Sequence, residues 1–202
     1  MLGYRWGIRG HFHQPSTQTG PDPETIRSMK LDFEHSADFP GLSPILRVLL
    51  VTDGTVTRTL EAYFGEAIDV DVLEHAERTS ESPYPQIDIA AGDRILHRYV
   101  RLLGRNTRKV YAVAESVAVL EHISQQMRRQ LVQEHKGIGE LLREGRLETY
   151  RELLTADLTT ASRWAEHLNV APTEGVVTRD YRIFQGGRAV LLIREIFPES
   201  LC

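Results

Sequence analysis

The stretch GVVTRDYRIFQGGRAVLLIREIFP, residues 175–198, decides the fold. Two runs rich in β-branched and aromatic residues flank Gly186-Gly187, which forms a two-residue hairpin turn. In the closing run, Ala189, Leu191, Ile193, Glu195 and Phe197 share one face, and Val190, Leu192, Arg194 and Ile196 share the other. Both faces are largely apolar, so this strand is buried on both sides. Working outward, residues 94–103 and 110–120 read as strands joined by a turn over 104–109, a second hairpin. Ile68, Val70 and Val72 alternate with Asp69 and Asp71, so 66–78 is a strand with one wet face. Upstream, Ser43-Pro44 opens a short helix over 44–51, Asp53-Gly54 breaks it, and Thr55 caps a second helix over 56–64 that Gly65 closes. Residues 121–170 read as helical: 124–135, one or two helices within 140–154, and 159–168. Together these segments describe an α+β fold with an antiparallel sheet.

The chain has 202 residues, of which 41% are hydrophobic and 26% charged, as expected of a globular chain with a sizeable core. Its net charge of −4 gives no basic field for nucleic acid. The lone cysteine, Cys202, argues against disulfide scaffolds, cysteine zinc sites and a cysteine nucleophile. No apolar run approaches the ~18 residues of a membrane helix, so a cytoplasmic monomer is the default expectation. Residues 1–42 are rich in Gly, Pro, His and Ser and read as a loosely ordered arm ahead of a domain over 43–202. His11, His13 and His35 in that arm lack the acidic partners of a metal site and carry no metal expectation.

Charged residues on buried faces mark the candidate site. Glu195 sits in an apolar row, where an unpaired carboxylate is costly or has its pKa raised; otherwise a nearby arginine pairs with it. Regular pairing through Gly186-Gly187 sets Arg182 against Leu191 and Thr178 against Glu195, placing Arg182, Asp180 and Glu195 on one face. Arg101 shares a face with Ile95, His97, Tyr99 and Leu103. It is either a structural ion-pair partner, with Glu115 on the next strand, or an anchor for a substrate carboxylate, which a guanidinium grips with two prongs.

Five segments, in order and spacing, resemble the chorismate pyruvate-lyase family, in its actinobacterial and archaeal branch. They are TDGTVTRTLEA (52–62), RYVRLL (98–103), YAVAES (111–116), GIGELL (137–142) and LLIREIFP (191–198). The resemblance spans residues about 43–198. It implies one antiparallel sheet of about six strands with helices packed on it and helical flaps over a buried ligand. It also implies a cofactor-free reaction: chorismate loses its enolpyruvyl ether as pyruvate and aromatises to 4-hydroxybenzoate. By the same resemblance Arg101 matches the arginine that binds the ring carboxylate. Val56 and Ile138 match positions whose backbone N–H groups meet that carboxylate, with Gly137 and Gly139 allowing close approach. Glu195 matches the glutamate that meets the para ring oxygen and is the proton-transfer candidate. Ser116 stands where another branch has an arginine, which leaves the enolpyruvyl carboxylate in need of a partner; either Arg182 or Arg188 substitutes, or the substrate carries only one carboxylate or a tetronate-like group in its place. The resemblance thus implies a small-molecule substrate and 4-hydroxybenzoate supply for a secondary metabolite or glycolipid. A cyclase or other tailoring enzyme recruited from this fold for polyketide chemistry is a second reading, and a ligand-sensing domain a third.

Overall fold

Ser43 and Pro44 start the first helix as the sequence predicts. Ser43 is extended, its Oγ accepts from the Leu46 N–H at 3.5 Å, and proline occupies the first turn. The computed structural model describes residues 41–123, 125, 128, 137–145 and 148–201. Most of the expected arm, with its three histidines, and most of the helix expected over 124–135 lie outside the described residues. Helix α1 spans Pro44–Val51, and α2 spans Val56–Phe64. Gly65 ends α2 in the left-handed region at φ 69°, a conformation that favours glycine.

Six strands follow: β1 (Ile68–Thr79), β2 (Arg94–Gly104), β3 (Val110–Val119), β4 (Thr149–Thr160), β5 (Gly175–Gln185) and β6 (Arg188–Pro198). All pair antiparallel in one sheet, in the order β1-β2-β3-β6-β5-β4. Helix α3 (Ile138–Glu144) precedes β4, and the short α4 (Ala165–Leu168) follows it.

One sheet face carries two apolar clusters. Leu46, Leu49 and Leu50 of α1 and Leu60 of α2 are fully buried against Leu102, Ala112 and Phe197. Each such leucine contributes roughly 1.5–3 kcal/mol relative to exposure. Leu141 and Leu142 of α3 pack with Leu96, Tyr181 and Ile193. The opposite face is covered by α4, on Val113 and Ile196, and by the Tyr84–Ile89 segment, on Ile95 and Val117. Between those two patches runs a row of ion pairs. His97 bridges Glu74 and Glu115 at 3.0 and 3.1 Å, and Arg194 holds Asp180 at 2.7 Å. Burial alone would raise the Glu115 pKa, but the hydrogen bond and charge of His97 outweigh it and hold the carboxyl below its ordinary value.

Two sequence expectations are corrected. The first concerns residues 149–160, expected to be mostly helical, which form edge strand β4. Glu152, Leu153, Leu154 and Ala156 are good helix formers, and a bulge between Leu153 and Thr155 interrupts the strand alternation. Pairing with β5 overrides local preference. The helix expected over 159–168 likewise shrinks to Ala165–Leu168 after a single tight turn at Ser162–Trp164. The second concerns the terminal hairpin. Gln185 does oppose Arg188, but a bulge between Ile183 and Phe184 puts Ile183 against Leu191 and Arg179 against Glu195. A one-residue slip exchanges the faces of a strand, so the odd-numbered residues of β5 join Glu195, not Asp180 and Arg182.

Glu66 fastens the end of α2 to the β2–β3 turn. It accepts from Tyr111 Oη at 2.5 Å, Thr107 Oγ1 at 2.7 Å and the N–H groups of Asn106 and Thr107. Tyr111 stacks on Phe64 with ring centroids 4.1 Å apart. These donors, Tyr111 first, lower the Glu66 pKa from 4.5 to about 2. A depressed folded-state pKa contributes stability that is complete above the unfolded value and lost as pH falls through the folded one. The melting-temperature difference between wild type and Glu66→Gln is therefore expected to be full at pH 7 and to shrink between pH 4.5 and 2. Melts across that range check it, and a difference that stays constant refutes it.

Candidate functional site

The gap between the two clusters on the α1–α3 side is a cavity with about 550 Å³ of empty space, mouth included. The sheet supplies its floor: Arg98, Val100 and Leu102 from β2, Ala114 and Ser116 from β3. Ile193 and Glu195 of β6, Tyr181 of β5 and Arg151 of β4 complete it. The roof is formed at two helix starts, residues 54–57 and 137–139.

Both helix starts follow extended residues, Thr55 and Gly137, and neither of these closes its helix with a side-chain hydrogen bond. The first N–H groups of a helix have no acceptor within it, and they favour an anion. The starts also touch: a Cβ added to Gly139 would lie 2.9 Å from Thr55 Cγ2 and 3.0 Å from Thr55 Oγ1. Glycine at 139 is what lets α3 approach α2 this closely.

Glu195 is not left alone in an apolar row. Arg179 Nε donates to its Oε2 at 2.6 Å, and Tyr181 Oη donates to its Oε1 at 3.1 Å. Arg179 is 1% exposed and Glu195 6%. Burial, with the adjacent Glu195 charge, pushes the Tyr181 phenol pKa up, so Tyr181 keeps its proton as a donor. Arg179 also donates from Nη1 to the Thr52 carbonyl at 2.8 Å, and Arg151 Nη1 donates to the Asp53 carbonyl. Two sheet arginines thus hold the Thr52–Thr55 loop that delivers α2 to the cavity.

Of the residues expected at the site, Glu195, Val56, Ile138, Gly139 and Ser116 line this cavity. Arg101 and Arg182 do not. Arg101 projects from the other face of the sheet and is bound to Asp71 through Nε at 2.9 Å. It is the structural ion pair that the sequence allowed, with Asp71 as partner instead of Glu115, which bonds His97. Arg182 also faces away, holding Glu152 at 2.9 Å and the Gln86 carbonyl at 2.8 Å. Arg188 lies exposed beside the hairpin turn. The guanidinium that does line the cavity from β2 is Arg98, 2% exposed. Burial pulls its pKa below the ordinary arginine value, yet a guanidinium stays charged. Its signal was present in the sequence, since Arg98 stands in the apolar row Leu96, Val100, Leu102. Arg151 and Arg179 were missed because one lies in a strand read as helix and the other was turned away by the regular hairpin register.

Fold and cavity together define a chorismate lyase-like α+β domain with a cavity between one sheet face and the starts of α2 and α3. The model of the family described as "Chorismate pyruvate-lyase Rv2949c-like" matches residues 50–202, and the chain belongs to that family. It is 30% identical over 157 residues to the chorismate pyruvate-lyase of Mycobacterium leprae, covering 77% of this chain and 75% of that one. It is 26% identical over 160 residues to the chorismate pyruvate-lyase of Mycobacterium tuberculosis, covering 77% and 80%. Among solved structures, the C-terminal domain of the histidine utilization repressor from Pseudomonas syringae matches with a TM-score of 0.53 at 16% identity, over 67% of this chain and 94% of that one. PhnF from Mycobacterium smegmatis matches with a TM-score of 0.58 at 12% identity, over 73% and 65%. At these identities the solved structures speak for the fold alone. Among the described residues, no helix is long and apolar enough to cross a membrane.

Removing one partner of a buried ion pair leaves a charge without compensation, at about 3–5 kcal/mol. Arg179→Met is expected to lower unfolding free energy by that amount. Adding Glu195→Gln to it should recover a large part, as measured by urea denaturation of the single and double variants. An unchanged midpoint for Arg179→Met would remove the pair from the structural core.

Proposed function

We propose that this protein is a chorismate pyruvate-lyase, releasing pyruvate and 4-hydroxybenzoate. The observation that carries the reading is the division of one cavity. Arg98 and the two helix starts offer an anion site, while Glu195 projects from a strand two places further along the sheet, fixed by Arg179 and Tyr181. Family membership and the names of the mycobacterial relatives support it.

Chorismate carries its ring carboxylate para to a hydroxyl-bearing carbon, and the enolpyruvyl ether sits on the neighbouring ring carbon. The hydroxyl-bearing carbon loses its hydrogen as a proton, and the electron pair of that C–H bond completes the aromatic ring. The ether C–O bond breaks in the same sense, its pair leaving with enolpyruvate, whose methylene group takes a proton to give pyruvate. Aromatisation supplies the driving force, so the protein's work is orientation and proton handling. Arg98, with the N–H groups at Val56 and Ile138, binds the ring carboxylate by charge-assisted hydrogen bonds. That directs the hydroxyl-bearing carbon toward Glu195. As the carboxylate of an ion pair, Glu195 is an acceptor, suited to receive the hydroxyl hydrogen bond and the departing proton. Val100, Leu102, Ala114 and Ile193 pack the ring between these ends and keep water out.

Purified protein incubated with chorismate should yield pyruvate, followed by a coupled dehydrogenase, and 4-hydroxybenzoate, followed by chromatography, in equal amounts. Glu195→Gln should lower kcat by about 10²–10⁴-fold, the usual weight of a positioned proton acceptor, while product still binds. Arg98→Met should chiefly weaken binding of both substrate and product. Release of neither product by folded wild-type protein would overturn the reading.

A further inference from the structure

We propose that Arg151 receives a second carboxylate, the one borne by the departing side chain of the substrate, and so makes this a site for ring acids with two acid groups. The inference rests on the lyase reading and deepens it. Ser116 lines the floor of the cavity and contributes one neutral hydroxyl, no match for a carboxylate that must leave water. The two arginines that the sequence offered in its place, Arg182 and Arg188, are spent elsewhere, and so is Arg101. Arg101 holds Asp71 and Arg182 holds Glu152, both on the far face of the sheet, and Arg188 is exposed at the turn. Among the described residues, Arg151 is the cavity-lining arginine that remains beside Arg98.

Its hydrogen bonding leaves the right edge open. Among the described residues, Nη1 donates to the Asp53 carbonyl, while Nε is buried and has no hydrogen-bond partner. A guanidinium bound through Nη1 still presents its Nε side, the edge that takes a carboxylate with two parallel N–H···O bonds. Among the described residues the one acid lining the cavity, Glu195, is engaged by Arg179 and Tyr181 and makes no hydrogen bond to Arg151. Position completes the argument. Arg98 is on β2 and Arg151 on edge strand β4, four strand spacings apart, roughly 19 Å between backbones at about 4.8 Å each. Two long side chains reaching inward from these strands shorten that span, and Glu195 on β6 stands between them. One arginine then fixes the ring acid and the other the side-chain acid, on either side of the bond that breaks.

The test compares ligands that differ by one carboxylate. Arg151→Met should raise the chorismate KM by about tenfold or more and leave the Kd of 4-hydroxybenzoate within about twofold of wild type. Arg98→Met should weaken both. Arg151→Lys keeps the charge and the reach to Asp53 but loses the fork, and should fall between wild type and Arg151→Met for chorismate. If Arg151→Met weakens chorismate and 4-hydroxybenzoate equally, or neither, Arg151 only fastens the loop and the inference is overturned. If Arg151→Met does not fold, Arg151→Lys decides: a loss confined to chorismate supports the inference and an equal loss refutes it. Should wild type fail to turn over chorismate, the lyase reading falls, and the inference is read by calorimetry alone. Benzoate is then compared with a benzoate bearing a carboxyl group on a meta ether. A wild-type preference for the diacid that Arg151→Met abolishes supports the second-carboxylate site, and no preference overturns it.

Discussion

Everything around the cavity is organised by the buried contact between Arg179 and Glu195. Two opposite charges, 2.6 Å apart and almost wholly removed from water, are tolerable only when each is fully supplied with hydrogen bonds. Tyr181 serves the second oxygen of Glu195, and the Thr52 carbonyl takes a second N–H of Arg179. That last bond is the economical one: it completes the solvation of a buried guanidinium and anchors the loop that introduces α2. Sheet, carboxylate and roof are therefore parts of one polar network, and the position of Glu195 in the cavity follows from folding itself.

The rest of the charge is sorted by the two-residue period of the strands. Asp71 with Arg101, Glu115 with His97, Asp180 with Arg194 and Glu152 with Arg182 all lie on the face away from the cavity, each acid met by a base. The cavity face is left with aliphatic and small side chains, two arginines and the engaged Glu195. On this face the one acid is met by Arg179, and among the described lining residues two arginines stand with it.

Much of this was legible in the chain. The helices bounded by Ser43-Pro44 and Gly65, both hairpins and the anomalous Glu195 follow from local rules, and the structure has them where those rules put them. What was hidden was register and context. The slip at Ile183/Phe184 cannot be seen in a run that alternates well on either side, yet it decides whether Arg179 or Arg182 meets Glu195. The fold of β4 depends on its neighbour more than on its own leucines and glutamate, and Arg151 went unseen with it. Arg98 and Arg101 stand three residues apart, so they necessarily point to opposite faces; choosing between two mixed rows required knowing which face the helices cover.

The contact between Gly139 and Thr55 bears on how such a site is inherited. The donors at the roof are peptide N–H groups, and every residue except proline carries one. Val56 and Ile138 can therefore drift among apolar types while the hydrogen-bonding pattern they present stays the same. The position with the least latitude is the one with no side chain at all, because an added carbon would press on the Thr55 side chain and force it to shift. What the meeting of the two helix starts asks of position 139 is the lack of a β-carbon, and it asks far less of the apolar residues beside it.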